Sequence, residues 1–226
     1  MFIFDPYFLL IVGPAFLLAM WAQARVKWAY AEASRVRAHL SGAAAAQYIL
    51  QSAGVGKLGI QEIGGRLSDH YDPREKVLRL SSDVFHGRNL AAVGIAAHEA
   101  GHAIQDARNY APLMIRNAAV PAASFGSNAS FLLLILGMLF SFQPLILAGI
   151  ALFGCVVFFQ LVNLPVEFNA SSRAKAELVN LGVVNTQELT YVRRVLSAAA
   201  LTYVAATLQA VLTLLYYIMV FTNRRS

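Results

Sequence analysis

The sequence predicts a mainly α-helical integral membrane protein with about four transmembrane helices and a small β-hairpin or three-stranded element. Composition, charge placement and the position of turn residues carry that prediction. Of the 226 residues, 58% are apolar and only 13% charged, and the mean hydropathy of +0.57 is high for a soluble domain. Residues 6–24, 117–166 and 195–223 contain no Asp, Glu, Lys or Arg. A span needs about 20 mainly apolar residues, because a helix rises ~1.5 Å per residue through a hydrocarbon core ~30 Å thick. The first and last runs each fit one span. The middle run fits two, folded at Ser141–Pro144, where a proline can begin the returning helix. The expected spans are 6–24, 119–141, 144–163 and 199–221, with polar segments at 25–118 and 164–198, all within one domain over 1–226. The competing explanation of the same runs is a set of core helices in a soluble protein.

Charge orients the spans. Sixteen of the eighteen Lys and Arg fall in the two polar segments, with Arg25, Lys27, Arg116, Arg173 and Lys175 near span ends. The positive-inside rule makes that side cytoplasmic in a multi-pass protein of the cell membrane. Arg224 and Arg225 are on the other side and count against it. The first span reads as a retained anchor, because "MFIFDPY" offers Asp5 where a secretory signal has a positive start. The net charge of +6 then suits a lipid bilayer as partner. No basic helix with interleaved aromatics points to nucleic acid. The lone Cys155 rules out an intrachain disulfide or a cysteine-based zinc site.

Along the chain, the first span should continue as a basic helix through Leu40. Ser41 offers an N-cap to "GAAAAQYILQSA", which Gly54 ends. Alternation around "LSDHY" and "VLRLS", broken at "DPRE", predicts two or three short strands. A helix is expected from about Arg88 to Asn109. "LPVEFNASSRAKAELVNLG" predicts an amphipathic helix closed by Gly182, and Asn185 with Glu188 has capping-box spacing for a last helix.

The Arg88–Asn109 helix carries "HEAGH". His98 and His102, four apart, present both imidazoles on one helix face, where one tetrahedral Zn²⁺ fits between them. Glu99 can then take a proton from a zinc-acidified water as it attacks a polarised carbonyl. Two histidines on an apolar face are ordinarily core or surface residues. A carboxylate between them on an Ala-rich helix beside a membrane is costly without a partner, which favours the metal. A catalytic zinc takes three protein ligands and keeps one open position. Glu167, the first charge after fifty uncharged residues, sits where the third span returns and is the leading third ligand on topology. His70 in "SDHYD" is the alternative, with His39 and His86 behind it. The oxyanion also needs a donor. Tyr203 at the start of the fourth span is a candidate, though a tyrosine there is more often an interfacial anchor, and His70, Tyr71 and Arg194 are alternatives.

"GGRLSDHYDPREKVLRLSSDVFHGRNLAAVGIAAHEAGHAIQDARNYAPL", "LVNLPVEFNASSRA" and "VLSAAALTYVAATL" together resemble the YugP-like neutral zinc metallopeptidases of bacteria, from about Ser41 to the end of the fourth span. The resemblance implies a zincin-like helix with a gluzincin-type site: His98, His102 and Glu167 as ligands of one zinc per chain, and Glu99 as the base. The family's usual block is "LPVEFDAS", so Asn169 replaces an aspartate. If that aspartate held a ligand histidine's N–H, the amide would keep the acceptor and lose the charge. The segment "KVLRLSS" resembles the zincin edge strand that pairs with extended peptides. The expected activity is a membrane zinc endopeptidase acting on extended or unfolded peptide and protein substrates at the cytoplasmic face. The alternatives are a non-catalytic membrane adaptor, or pseudoprotease, and a transporter. The last is weak, because the spans lack intramembrane charges. Oligomeric state is not legible.

Overall fold

The computed structural model describes residues 5–65 and 68–223; Arg224 and Arg225, which bore on orientation, lie outside the described residues. In chain order the elements are α1 (Pro6–Ser34), α2 (Gly42–Ser52), β1 (Gly59–Ile63), β2 (His70–Asp72), β3 (Val77–Ser81), α3 (Ser82–Phe85), α4 (Leu90–Ala107), α5 (Ala111–Leu139), α6 (Gln143–Asn180) and α7 (Thr186–Asn223). The fold is mainly α, and α1, α5, α6 and α7 are long and apolar enough to cross a membrane. Two compact units divide the chain. One comprises 1–22, 114–164 and 202–226, the other 23–113 and 165–201.

The first unit is built from the apolar parts of those four helices. Their most apolar windows have mean hydropathies of 1.6 to 2.6, yet only 11–22% of each window is buried. Leu10, Phe125, Phe131 and Leu139 are all exposed. Core helices of a soluble protein would bury such windows, so these faces are suited to lipid. α5 and α6 form the expected hairpin: Ser141 takes a positive φ of 52°, Phe142 N–H donates to the Gly137 carbonyl at 2.8 Å, and Pro144 sits in the first turn of α6. Asp5 accepts from Tyr7 N–H at 2.9 Å, capping α1, and also accepts from the phenol of Tyr216, which joins the first and last helices.

The second unit has one hydrophobic core, shared by α2, the strands, α4 and the neighbouring parts of α1, α6 and α7. Ser41 accepts from Ala44 N–H at 3.3 Å and starts α2, as expected. Asn89 does the same for α4, accepting from Ala92 N–H at 2.9 Å. Asn185 and Glu188 make the reciprocal capping box: Glu188 N–H donates to Asn185 Oδ1 at 2.9 Å, and Asn185 N–H to Glu188 Oε2 at 2.8 Å. Gly182 closes α6 with φ 66°.

Three expectations change. The first helix stops at Ser34 rather than Leu40, because the next residues are recruited to the start of α4. Leu90 N–H donates to the Val36 carbonyl, Ala38 N–H donates to Arg88, and Arg37 bridges Asn89. The third span and the amphipathic segment after it are one helix, α6. Pro165 removes one donor without ending it. Finally, "KVLRLSS" is not an edge strand. The three-stranded sheet has the order β1-β3-β2, with β3 parallel to β1 (Ile60 opposite Leu78) and antiparallel to β2 (Tyr71 opposite Leu78). Both sides of β3 are therefore paired, and the outer strands are β1 and β2.

The contact that matters most for the site is between α4 and α6. A Cβ placed on Gly101 would lie 2.7 Å from the Ala170 carbonyl oxygen and 3.3 Å from its Cα. Only glycine allows the two backbones to meet this closely. Gly101→Ala should therefore destabilise the protein by about 1–3 kcal/mol through overpacking, read as a lower thermal midpoint in detergent. Gly154→Ala, where nothing lies within 4 Å of the added carbon, is the control that should not lower it.

Candidate metal centre

The close approach at Gly101 sets Glu167 of α6 against the two histidines of α4. His98 Nε2 lies 3.2 Å from Glu167 Oε2 and His102 Nε2 lies 3.6 Å from the same oxygen. One donor atom from each residue falls within 4.8 Å of the others. The imidazole centroids are 4.8 Å apart with the rings 82° to one another, as a one-turn offset on a helix gives. His102 and Glu167 are buried, and His98 is nearly so.

The outer nitrogens of both rings are engaged. His102 Nδ1 is 2.9 Å from Gln105 Oε1, an acceptor, so this nitrogen is the donor to Gln105 and Nε2 is the one turned toward Glu167. His98 Nδ1 is 3.1 Å from Ser171 Oγ. A buried carboxylate facing two imidazole nitrogens calls for a cation, either a proton on the rings or a metal ion between them. A tetrahedral ion with bonds of about 2.0–2.2 Å to nitrogen and oxygen sets its ligand atoms about 3.3–3.5 Å apart. The two nitrogen–oxygen separations bracket that range, and the three donors as a set lie within 4.8 Å. The residues therefore fit zinc in donor type and outer hydrogen bonding.

Glu99, the residue after His98, sits beside these donors without joining them. Its Oε2 accepts from Tyr71 N–H on β2 at 3.1 Å. Burial pushes its carboxyl up to about 7; His98 and the Tyr71 amide pull down against it, while the Glu167 and Asp69 carboxylates add to the rise. Burial also raises Glu167, but hydrogen bonding to His102 and His98 outweighs it and holds that carboxyl well below the usual range. β2 is fastened to α4 a second time, further along the same helix. The Tyr71 phenol donates to Asp106 at 2.6 Å, and Lys76 pairs with the same carboxylate. Burial and that acceptor push the phenol's ionisation upward.

The other histidines and Arg194 are placed elsewhere. His70 is exposed on β2 with Nδ1 2.7 Å from the Ser68 carbonyl, His86 pairs with Glu62 at 3.0 Å, and His39 is exposed. Arg194 pairs with Glu32 at 2.6 Å. Tyr203 belongs to the other unit, where its backbone carbonyl accepts from the Thr207 hydroxyl at 2.8 Å. Asn169 does not reach a ligand histidine. Gln105 takes that place, and Asn169 lies one step further out, its Oδ1 accepting from Gln105 Nε2 at 3.0 Å and Arg173 Nε at 2.7 Å. Sequence reasoning missed Gln105 and Ser171. Spacing alone could have raised them, since Gln105 is three residues after His102 and Ser171 four after Glu167.

A His-His-Glu donor set with an adjacent glutamate, in a chain with four membrane-length helices, has the make-up of a membrane zinc peptidase. Residues 8–222 match the family described as "Putative neutral zinc metallopeptidase". The chain is 44% identical over 220 residues to the "Putative membrane protease YugP" of Bacillus subtilis (strain 168), covering 96% of this chain and 98% of that protein. No solved structure matches significantly. The chain belongs to this family of neutral zinc metallopeptidases and is a membrane protein.

If the three donors hold the metal, Glu167→Ala should lose zinc while retaining its fold. Metal analysis of detergent-purified protein should give about one zinc per chain for the unaltered protein and near none for the variant. A variant that kept its zinc would remove Glu167 from the ligand set.

Proposed function

We propose that this peptidase is a multi-pass endopeptidase that hydrolyses peptide bonds in extended or unfolded segments of membrane and other proteins at the cytoplasmic face. The observation that carries the mechanism is the convergence of His98 Nε2, His102 Nε2 and Glu167 Oε2 next to a separately anchored Glu99. Zinc held by those three donors supplies a Lewis acid that polarises the scissile carbonyl and acidifies water. Glu99 is the general base. The Tyr71 amide holds one of its oxygens, which leaves the other to take a proton and pass it to the departing amine. A carboxyl raised by burial is suited to both halves of that transfer.

Substrate backbone would pair with an outer strand of the sheet, since β3 has both sides occupied. Main-chain pairing favours extended chains with little side-chain selectivity. For the oxyanion donor, Tyr203 remains the proposal on sequence grounds alone, from its place where the fourth span begins. The cytoplasmic orientation rests on the sixteen basic residues of the two polar segments.

The adaptor reading drew its support from Asn169. That side chain presents its oxygen to two donors, as an aspartate would, so the substitution gives no reason to prefer a protein without activity. The test is Glu99→Gln. It should keep its zinc and lose at least about 10²-fold in cleavage of an unfolded, fluorescence-quenched protein substrate. Cleavage at the unaltered rate would remove Glu99 from the mechanism.

A further inference from the structure

We infer that Gln105 is a positioning residue for the zinc ligand His102, and that it works as a matched pair with Asn169. The inference rests on the zinc reading of the site and goes beyond the ligand set. Gln105 is fully buried. Its Oε1 faces His102 Nδ1 at 2.9 Å, while its Nε2 donates to the Val166 carbonyl at 2.8 Å and to Asn169 Oδ1 at 3.0 Å. Val166 is the residue before Glu167. One amide thus orients a ligand on α4 and grips the backbone of α6 beside the other ligand.

The chemistry of the site requires an amide here. A carboxylate is the commoner partner of a ligand histidine, but it has no hydrogens for Val166 and Asn169. Gln105 accepts on one side and donates twice on the other, which takes the carbonyl oxygen and both N–H groups of a primary amide. The orientation of Asn169 follows. Arg173 Nε, at 2.7 Å, fixes Oδ1 as the acceptor that Gln105 meets. An aspartate at 169 would satisfy the same two donors. A glutamate at 105 would instead confront the Val166 and Asn169 oxygens, and could recover a partner only if Asn169 turned its Nδ2 inward. With aspartate at 169 even that escape is lost.

Zinc affinity, measured by competition with a chromogenic chelator in detergent, tests this on five proteins: unaltered, Gln105→Met, Gln105→Glu, Asn169→Asp, and Gln105→Glu with Asn169→Asp. Gln105→Met should weaken zinc by about 10–100-fold. Asn169→Asp should stay within about twofold of the unaltered protein. The double variant should bind more weakly than the product of its single effects, by about threefold or more. Cobalt(II) gives a readout that a purely structural role would not move: the visible bands of the Gln105→Met protein should shift as His102 loses its fixed orientation. If Gln105→Met does not fold, Gln105→Glu takes its place in both measurements.

Zinc affinity within about twofold of unaltered for the Gln105 variants, with unchanged cobalt bands, would overturn the positioning role. Effects that simply multiply in the double variant would overturn the pairing with Asn169. Unaltered protein that takes up no zinc would instead sink the metal-site reading on which both stand.

Discussion

Everything at the candidate centre depends on two helix backbones meeting with no side chain between them. Gly101 lies against the Ala170 carbonyl, and the residues around it on α4 are alanines, among them Ala97, Ala100 and Ala103, all fully buried. Small residues carry little side-chain entropy and let helices approach, at the cost of contributing little apolar area themselves. The area comes from what surrounds them, such as Ile49, Leu50, Leu78 and Leu178. In the motif "HEAGH" the histidines and glutamate are the candidate ligands and base, and the glycine is the clearance that lets Glu167 come within reach. A motif usually read for its ligands also encodes a packing distance.

Legibility in the sequence followed the range of the interactions. Caps and turns are local, and Ser41, Gly182 and the Asn185–Glu188 box formed where their residue types indicated. Charge-free runs marked the membrane-length helices because hydrocarbon imposes its length requirement on each helix separately. The end of α1 was hidden, because it depends on Val36 and Ala38 pairing with residues some fifty positions on. The place of β3 was hidden for the same reason. Its alternation looks alike at an edge or in the centre, and only the parallel partner β1, joined by a crossover, decides between them.

The site divides along the same line. His98, Glu99 and His102 are read from one helical turn. Glu167 was reachable because it is the first charge after a long apolar run, and carboxylates near hydrocarbon need partners. Gln105 and the Tyr71 amide carry no such signal. A buried glutamine is common on helices, and a backbone N–H has no letter of its own. These silent groups hold the outer side of His102 and one oxygen of Glu99, so the part of the site that sets its geometry is the part the sequence shows least.

The connectivity of the second unit has a consequence for biogenesis. Its two pieces, 23–113 and 165–201, are separated by residues 114–164, which hold most of α5 and the first part of α6, and Glu167 is made 69 residues after His98. A chain emerging from the ribosome presents His98, Glu99 and His102 well before their third partner exists. The donor set can close only after the residues between them have been made, so a chain stopped within 114–164 lacks its carboxylate donor.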